Sequence, residues 1–393
     1  MGRFLKMNRG TNEPATPEAV TSGFVTDGSV TDGSVTNRPA AGGNLVDWGF
    51  AAASASRMVP AGPKASRIEI KDAVAQLHAA AAAAVEPVAT TSGMHTPEGA
   101  ATPLVVDRPG WIHANTSSMQ SMMSPVLDEM VSRHGPGASG KAEASQVAQR
   151  IGGVVSGAEV AGLLSWVSTK VLGQYDLAPQ GTPRLLLVAP NIMAAHRELE
   201  VDPHDFRLWV CMHEETHRVQ FTAVPWLRQH IIDSAQTLST SMVPQTDEVS
   251  TKLTQLVSGL PAVVRGERDI TSLLANEEQR AQLAEITAVM SLLEGHADVI
   301  MDEVGPQVIP SVDQIRAKFT QRRKGAGPLD ILLRRLLGME AKMKQYRDGA
   351  VFVRAVMDQV GTEGFNQVWT SPQTLPRAGE IADPGAWVAR VHG

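Results

Sequence analysis

The chain has 393 residues, enough for one large domain or two smaller ones with a well-buried core. Hydrophobic residues make up 43% of it and the formal net charge is -6, so no overall basicity points to nucleic acid or anionic lipid as a partner. A single cysteine, Cys211, cannot close an intramolecular disulfide, and no segment has the apolar length of a signal peptide or a membrane span. We therefore expect a cytoplasmic protein that does not enter a membrane.

The N-terminal residues differ in composition from the rest of the chain. Residues 1–44 are mainly Gly, Thr, Ser, Pro and Asn, and they contain the pentapeptide VTDGS twice, beginning at Val25 and at Val30. Such a segment cannot bury enough apolar surface to offset the entropy lost on ordering. We predict a disordered tail over residues 1–44 and a single domain over residues 45–393.

The first half of the predicted domain combines helices with two short strands. The sequence SRIEIKDAVAQLHAAAAAAVEPV predicts a helix that ends at Pro87, because proline rarely continues a helix. From Pro103 to Asn115 the chain carries a short strand-like run and then a turn. An apolar helix is predicted over EVAGLLSWVSTKVLG, and PRLLLVAP is the best strand candidate.

The second half is helical in pattern almost throughout, beginning at Asp202. The stretch from Ser239 to Asn276 fits either a mobile loop or short helices. The C-terminal segment NQVWTSPQTLPRAGEIADPGAWVARV is rich in turn residues, and we expect it to pack back on the body of the protein. The predicted fold class is therefore mainly α with a small β-sheet.

The sequence MHEETHRVQF contains an HExxH pattern formed by His213, Glu214 and His217. Residues four apart on a helix lie about 40° apart on one face, so the two imidazoles can bind one metal ion. Glu214 lies about 100° round the helix from His213, close enough to reach a metal-bound water without being a ligand. This is the arrangement that a zinc hydrolase needs.

The helical face that carries the two histidines is otherwise largely apolar. It includes Phe206, Trp209, Val210, Gln220 and Val224. The charged residues Arg207, Glu215 and Arg218 fall on the other side. We therefore expect both histidines to point into the core, where an unpaired polar ring is costly. Two core histidines satisfied by ordinary hydrogen bonds are the alternative to a metal site.

A catalytic zinc needs a third protein ligand, and a later helix offers it. The metzincin continuation of the motif is absent, since Gln220 and Ala223 stand where the Gly and the third His belong. In MSLLEGHADVIMDEVG, Glu294 and Asp298 are four apart and share one helical face. That face also carries Leu283, Thr287, Met290, Ala297 and Met301.

Two carboxylates on a buried face need a cation or a metal nearby. We predict Glu294 as the third ligand and Asp298 as the acceptor for the outer N–H of a ligating histidine. Acids scattered over a solvated helix are the alternative. His296 faces away from Glu294, so it is not among the predicted site residues.

Five separated segments carry a resemblance to a known family: VVDRPGWIHAN, HEETHRVQF, AVPWLRQH, LLEGHADVIMD and VWTSPQTLP. From about Val46 to the C-terminus the chain resembles the actinobacterial zincin-like proteins that are labelled zinc-dependent metalloproteases. Some of these are also labelled as associated with deazaflavin coenzyme biosynthesis. The resemblance implies that residues 45–393 form a zincin-like metallohydrolase domain with an HExxH active-site helix.

The roles that the resemblance implies follow the glutamate-type zincins, whose second helix carries Glu-x-x-x-Asp. By this analogy His213, His217 and Glu294 hold Zn2+. Glu214 is the general base, and Asp298 supports a ligand through a hydrogen bond.

The expected function is that of a zinc-dependent metallohydrolase, and specifically a peptidase. Glu214 would take a proton from the zinc-bound water as it attacks a carbonyl, and would then pass the proton to the leaving amine. As the donor that stabilises the oxyanion we single out Tyr346, which lies on a partly apolar helical face. A core tyrosine with its hydroxyl at the edge is the alternative. The expected partner is a peptide or protein substrate.

Two other functions compete with hydrolysis. A non-catalytic zinc-containing binding or scaffold protein would normally close its site with a fourth protein ligand, commonly Cys. Cys211 would point about 160° away from His213, which argues against a closed site. Residues 316–347 carry 10 Lys or Arg against 2 acids, which fits a solvated face, a surface that draws acidic peptides, or a nucleic-acid site. Aromatic residues are nearly absent there, so we predict no nucleic acid partner; the oligomeric state stays open.

Overall fold

The computed structural model describes residues 46–134, 157–243, 275–324 and 339–393. Most of these residues are helical, and three short strands form one small sheet. The predicted fold class, mainly α with a small β-sheet, is thereby confirmed. The predicted tail over residues 1–44 lies outside the described residues.

Eleven α-helices occur in the described part of the chain. They are α1 (Trp48–Met58), α2 (Arg67–Ser92), α3 (Arg108–His134), α4 (Gly157–Ser168), α5 (Ala189–Leu199), α6 (Pro203–Ala223), α7 (Leu227–Ser241), α8 (Glu277–Val304), α9 (Val312–Lys324), α10 (Met339–Phe365) and α11 (Pro384–His392). Two short 3-10 helices, Asn366–Trp369 and Pro372–Thr374, lie between α10 and α11. Within the described ranges, no helix combines the length and the apolar character that a membrane span requires.

The sheet consists of β1 (Leu104–Val106), β2 (Gly173–Asp176) and β3 (Arg184–Val188). Their order is β1–β3–β2, so β3 is central; β1 runs parallel to it and β2 antiparallel. β1 and β3 occupy the two runs predicted as strands, and the burial of β3 explains its continuous apolar sequence. The sequence does not predict β2, because GQYD is short, largely polar and without an apolar alternation.

α2 begins at a capping box and continues past its proline. The Ser66 hydroxyl accepts a hydrogen bond from the Glu69 backbone N–H, and the Glu69 carboxylate accepts one from the Ser66 N–H. The prediction that this helix ends at Pro87 is wrong, since α2 continues to Ser92. Proline leaves the Ala83 carbonyl without its helical partner. Ala83 is exposed, so water can replace the missing N–H.

The turn predicted after β1 is in fact the first turn of α3. The Asp107 carboxylate accepts a hydrogen bond from the Gly110 N–H at 2.8 Å, as a helix-capping residue does. Pro109 falls in the first turn, where its missing N–H costs no helical hydrogen bond. The Pro-Gly pair therefore starts a helix here instead of reversing the chain.

The N-terminal cap of α6 fixes where the HExxH helix begins. Asp202 accepts hydrogen bonds from the backbone N–H groups of His204 and Asp205, and Pro203 occupies the first helical position. The Asp205 carboxylate in turn accepts from the N–H and the hydroxyl of Ser311, just before α9. α6 is thus tied at its start to a distant part of the chain.

The HExxH helix also lies deep in the main hydrophobic core, where α2 and α8 pack on it. Cys211 is 1% exposed, and its thiol lies 3.9 Å from the carbonyl oxygen of Leu77 on α2. Burial raises the pKa of this thiol to about 12. Cys211 is therefore a small core residue.

α8 and α10 cross at a pair of glycines. A β-carbon added to Gly295 would overlap the backbone of Gly349, and one added to Gly349 would overlap the carbonyl oxygen of Ser291. The two helix backbones are therefore in direct contact one residue after Glu294. The two glycines therefore determine how closely α8 and α10 can approach each other.

Gly295→Ala is expected to lower the free energy of unfolding by about 2–3 kcal/mol, since rigid backbone must move to admit the methyl group. Chemical denaturation measures this change. Gly162→Ala is the matched control: Gly162 is also helical, and an added β-carbon would meet no atom within 4 Å. Equal stability of the Gly295→Ala and wild-type proteins would show that the crossing can relax at no cost.

The C-terminal segment packs back on the body, as predicted. Trp387 of α11 is fully buried and donates its indole N–H to the Thr374 carbonyl at 2.8 Å. Arg390 forms two hydrogen bonds with the Glu380 carboxylate. The loop or short helices predicted from Ser239 to Asn276 stay a prediction, because residues 244–274 lie outside the described residues.

Candidate metal centre

α6 presents both histidines of the HExxH pattern to one point. The Nε2 atoms of His213 and His217 are 3.2 Å apart, and the two rings are nearly perpendicular at 88°. Each imidazole therefore directs the same ring nitrogen inward. The four-residue helical spacing accounts for this shared face.

α8 brings Glu294 to the two histidines. Its Oε2 lies 3.6 Å from Nε2 of His213, and its Oε1 lies 3.8 Å from Nε2 of His217. Ligands of a tetrahedral zinc, each about 2.0–2.2 Å from the metal, lie roughly 3.3 Å from one another. The donor set therefore fits a zinc ion with little movement. The structure brings together all three residues predicted as ligands, within 4.8 Å of one another.

The candidate ligands are partly exposed, although both sides of α6 are otherwise buried. The side chains of His213, His217 and Glu294 are 26%, 13% and 23% exposed. Glu215 is 2% exposed, and both its carboxylate oxygens accept hydrogen bonds from Arg218. The face that carries the histidines is buried as predicted, since Phe206 and Gln220 on it are fully buried, but the charged side of α6 is buried as well. Pairing allows the two charges to be buried, which a pattern of single residues does not reveal.

The two histidines differ in their electrostatic surroundings. Burial lowers the pKa of His213, but the hydrogen bond and charge of Glu294, with Glu214 and Asp298, outweigh it and raise the pKa to about 9. Burial lowers the pKa of His217, against the charge of Glu294. In the metal-free protein at neutral pH, Nε2 of His213 is therefore the donor of the hydrogen bond between the two rings, and Nε2 of His217 is the acceptor.

Zinc affinity is expected to increase with pH up to about pH 9. Because His213 must lose its proton to bind a metal, the apparent affinity should increase about tenfold per pH unit between pH 7.5 and 9 and then level off. Competition with a chelator measures the affinity, and calorimetry in buffers of different ionisation heat measures the proton released. An affinity independent of pH over this range would show that His213 is already neutral.

Glu214 lies beside the ligands and against the edge strand β2. A β-carbon added to Gly173 would lie 2.5 Å from Cδ of Glu214 and 2.7 Å from its Oε1, so the carboxylate rests directly on the glycine backbone. Burial raises the pKa of Glu214 to about 7, partly opposed by the charge of His213. A group with a pKa near neutral is suited to move protons in both directions. Gly173 is a site residue that the sequence does not reveal, because β2 itself is not predicted.

The outer nitrogens of the two imidazoles are held by Gln220 and Met301. Nδ1 of His217 lies 3.0 Å from Oε1 of Gln220, and Nδ1 of His213 lies 3.3 Å from the sulfur of Met301. Among the described residues, no hydrogen bond joins the Asp298 carboxylate to either ring. The contribution of Asp298 is its charge, which raises the pKa of both histidines.

The prediction that Asp298 accepts a hydrogen bond from one of the two histidines therefore differs from the structure, where Met301 lies beside the His213 ring. Asp298 and Met301 share the helical face that carries Glu294, and the thioether of Met301 occupies the place beside the His213 ring. The spacing identifies the face but not the side chain that reaches the ring.

Gln220 connects the candidate ligand His217 to a buried histidine on α8. Its Nε2 lies 3.0 Å from the Leu293 carbonyl oxygen and 3.0 Å from Nδ1 of His296. His296 is not part of the ligand group, in agreement with its predicted orientation. The only sequence signal for Gln220 is its place on the face that carries the histidines, three residues after His217.

Two other predicted features are described only in part. The side chain of Tyr346 on α10 lies outside the described ones, so its role stays a prediction. Within residues 316–347, Arg316 pairs with Asp302, and Lys318 donates to the Glu200 carbonyl. The remaining cations of this range lie outside the described side chains.

A model of the zincin-like metallopeptidase family matches residues 46–388. A solved structure from Chloroflexus aurantiacus, described as a proposed hydrolase with a novel fold, is similar to this chain, with a TM-score of 0.61 and 28% sequence identity. The similarity covers 88% of this chain and 99% of that one. No curated protein matches the chain. The family match includes every residue of the candidate metal centre, and the chain therefore belongs to the zincin-like metallopeptidase family.

Proposed function

We propose that the protein is a zinc-dependent peptidase. The observation that carries the proposal is the meeting of His213, His217 and Glu294 at one point, with Glu214 beside them. Two imidazoles and one carboxylate form a known ligand set of catalytic zinc, which keeps its fourth position open. Membership of the family and the likeness to the proposed hydrolase support the same reaction class.

Glu214 is the proton carrier in this proposal. Zinc, when bound, lowers the pKa of a water molecule and polarises the substrate carbonyl. The Glu214 carboxylate would take a proton from the attacking water and later pass it to the leaving amine. Its pKa of about 7 allows both transfers near neutral pH. Tyr346 stays the proposed donor to the oxyanion.

A peptide is the proposed substrate because a strand edge lies next to the general base. β2 is an edge strand among the described strands, and its Gly173 contacts Glu214. An extended peptide can add to such an edge through backbone hydrogen bonds. This pairing would lead a peptide carbonyl past Glu214 and the ligands.

A non-catalytic zinc-containing binding or scaffold protein is the alternative. Such a site would normally have a fourth protein ligand. Within the described residues, the group around Glu294 offers three ligands, and the Cys211 thiol lies against α2. An open fourth position supports hydrolysis over a structural role.

Metal content and peptide hydrolysis test the proposal together. We expect about one zinc ion per desalted wild-type chain, and cleavage within a mixture of casein peptides. Glu294→Ala should lose most of the zinc and all cleavage. Glu303→Ala, which removes an exposed glutamate from the same helix, is the matched control and should keep both.

The two measurements separate the two functions. A wild-type chain that binds no zinc, even when zinc is offered and the excess removed, would contradict the metal site. A zinc-loaded chain that cleaves no peptide would favour the scaffold role.

Several narrower predictions from the sequence stay proposals. They are a place among the actinobacterial members of the family, an association with deazaflavin coenzyme biosynthesis, a cytoplasmic location and the absence of a nucleic acid partner. The domain limits, with a tail over residues 1–44, are proposed on the same footing.

A further inference from the structure

Gln220 is a buried polar residue with an unusual set of partners. It is 0% exposed, it lies on α6 three residues after His217, and its Oε1 is 3.0 Å from Nδ1 of that ligand. We infer that Gln220 is a positioning residue that determines which nitrogen of His217 faces the metal. The inference rests on the proposed zinc site.

The orientation of the Gln220 amide follows from its neighbours. One end of the amide lies 3.0 Å from the carbonyl oxygen of Leu293, and that oxygen can only accept a hydrogen bond. The atom facing Leu293 must therefore be the amide nitrogen, and the atom facing His217 must be the oxygen.

The amide orientation in turn determines the tautomer of His217. Because the Gln220 oxygen can only accept, Nδ1 of His217 must carry a hydrogen. Its Nε2 then keeps the lone pair, and this is the nitrogen directed at His213 and Glu294. Gln220 thus selects the tautomer that can bind a metal, before any metal arrives.

His296 completes the hydrogen bonding of the amide. Its Nδ1 lies 3.0 Å from Nε2 of Gln220, and its ring is fully buried beside Phe365 and Trp369. Its Nε2 has no hydrogen-bond partner among the described residues. Such a buried polar atom is costly, and the interaction that accounts for a histidine here is the one with Gln220. We therefore assign His296 to holding the amide in place.

The second ligand provides an internal comparison. Nδ1 of His213 faces the Met301 sulfur, which is a weak acceptor, so no strong hydrogen bond selects its tautomer. Met301→Leu should accordingly change zinc affinity less than Gln220→Met. Both substitutions keep the volume of the side chain, which makes them a matched pair.

The test combines a tautomer measurement with zinc affinity. In metal-free wild-type protein carrying 15N-histidine, we expect the NMR shifts of His217 to show the hydrogen on Nδ1. By competition with a chelator, Gln220→Met should bind zinc about 10–100-fold more weakly than wild type.

Two results would overturn the inference. One is a hydrogen on Nε2 of His217 in the metal-free wild type, and this measurement does not depend on any variant folding. The other is wild-type zinc affinity in Gln220→Met. A wild type that binds no zinc would refute the zinc site as well, so failure of the proposed function is recognisable by itself.

Discussion

Replacing Glu214 with glutamine is expected to remove nearly all peptide hydrolysis while zinc stays bound. Glutamine keeps the size of the carboxylate but cannot take up a proton, so kcat should fall by about 10²–10⁴-fold. Glu214 is not one of the three ligands, so the zinc content should equal that of the wild type. The measurements are kcat at neutral pH and zinc per chain on the same preparation.

Glu303→Gln is the control for this variant, because it makes the same change on an exposed part of α8. It should leave both quantities unaltered. Undiminished turnover in Glu214→Gln would remove Glu214 from the reaction. Loss of zinc in Glu214→Gln would show instead that Glu214 supports the ligands.

Gly173→Ala is expected to reduce peptide hydrolysis about 100-fold. The added methyl group would lie 2.6 Å from Cγ of Glu214, so the carboxylate must turn away from β2. Displacing a catalytic group by about 1 Å is enough for a loss of this size. Zinc content should be unchanged, because the three ligands lie on α6 and α8. The measurement is kcat/KM on a cleaved peptide beside the metal content.

Gly379→Ala is the matched control, since Gly379 is exposed and an added β-carbon would meet nothing within 4 Å. A thermal unfolding scan of both variants separates a local displacement of Glu214 from a general loss of structure. Full activity in a folded Gly173→Ala protein would mean that Glu214 does not need its place against β2.

The sequence predicts the three candidate metal ligands because the HExxH pattern and helical periodicity place each of them on a defined helical face. His213 and His217 are four apart, and Glu294 lies on a second face with the same regular spacing. Periodicity does not say which side chain on a face reaches a given atom. The spacing therefore predicts Asp298 beside the histidine, whereas Met301 makes that contact.

The sequence does not predict which residues of separate elements contact each other. Gly173 touches Glu214 only because β2 packs against α6, and neither segment indicates this neighbour. The role of Gln220 is not predictable for the same reason, since its partners Leu293 and His296 lie on α8.

In the fold, too, features that depend on local sequence are predictable and features that depend on the surroundings are not. The apolar run of β3 between two prolines identified it as a strand, and β1 was found in the same way. Pro87 and the Pro-Gly pair at the start of α3 misled the prediction, because the effect of a proline depends on its position in a helix and on the exposure of the carbonyl it frees.

Because Cys211 is buried, the rate at which a thiol reagent labels it can measure how often α6, the HExxH helix, separates from its neighbours. As the sole cysteine, with its thiol against α2 and a pKa raised to about 12, it can react with a thiol reagent only after α6 separates from its neighbours. Where reclosing is faster than labelling, the labelling rate gives the free energy of that opening. The ratio of rates with and without zinc then gives the energy by which zinc stabilises α6 against this opening, independently of any substrate.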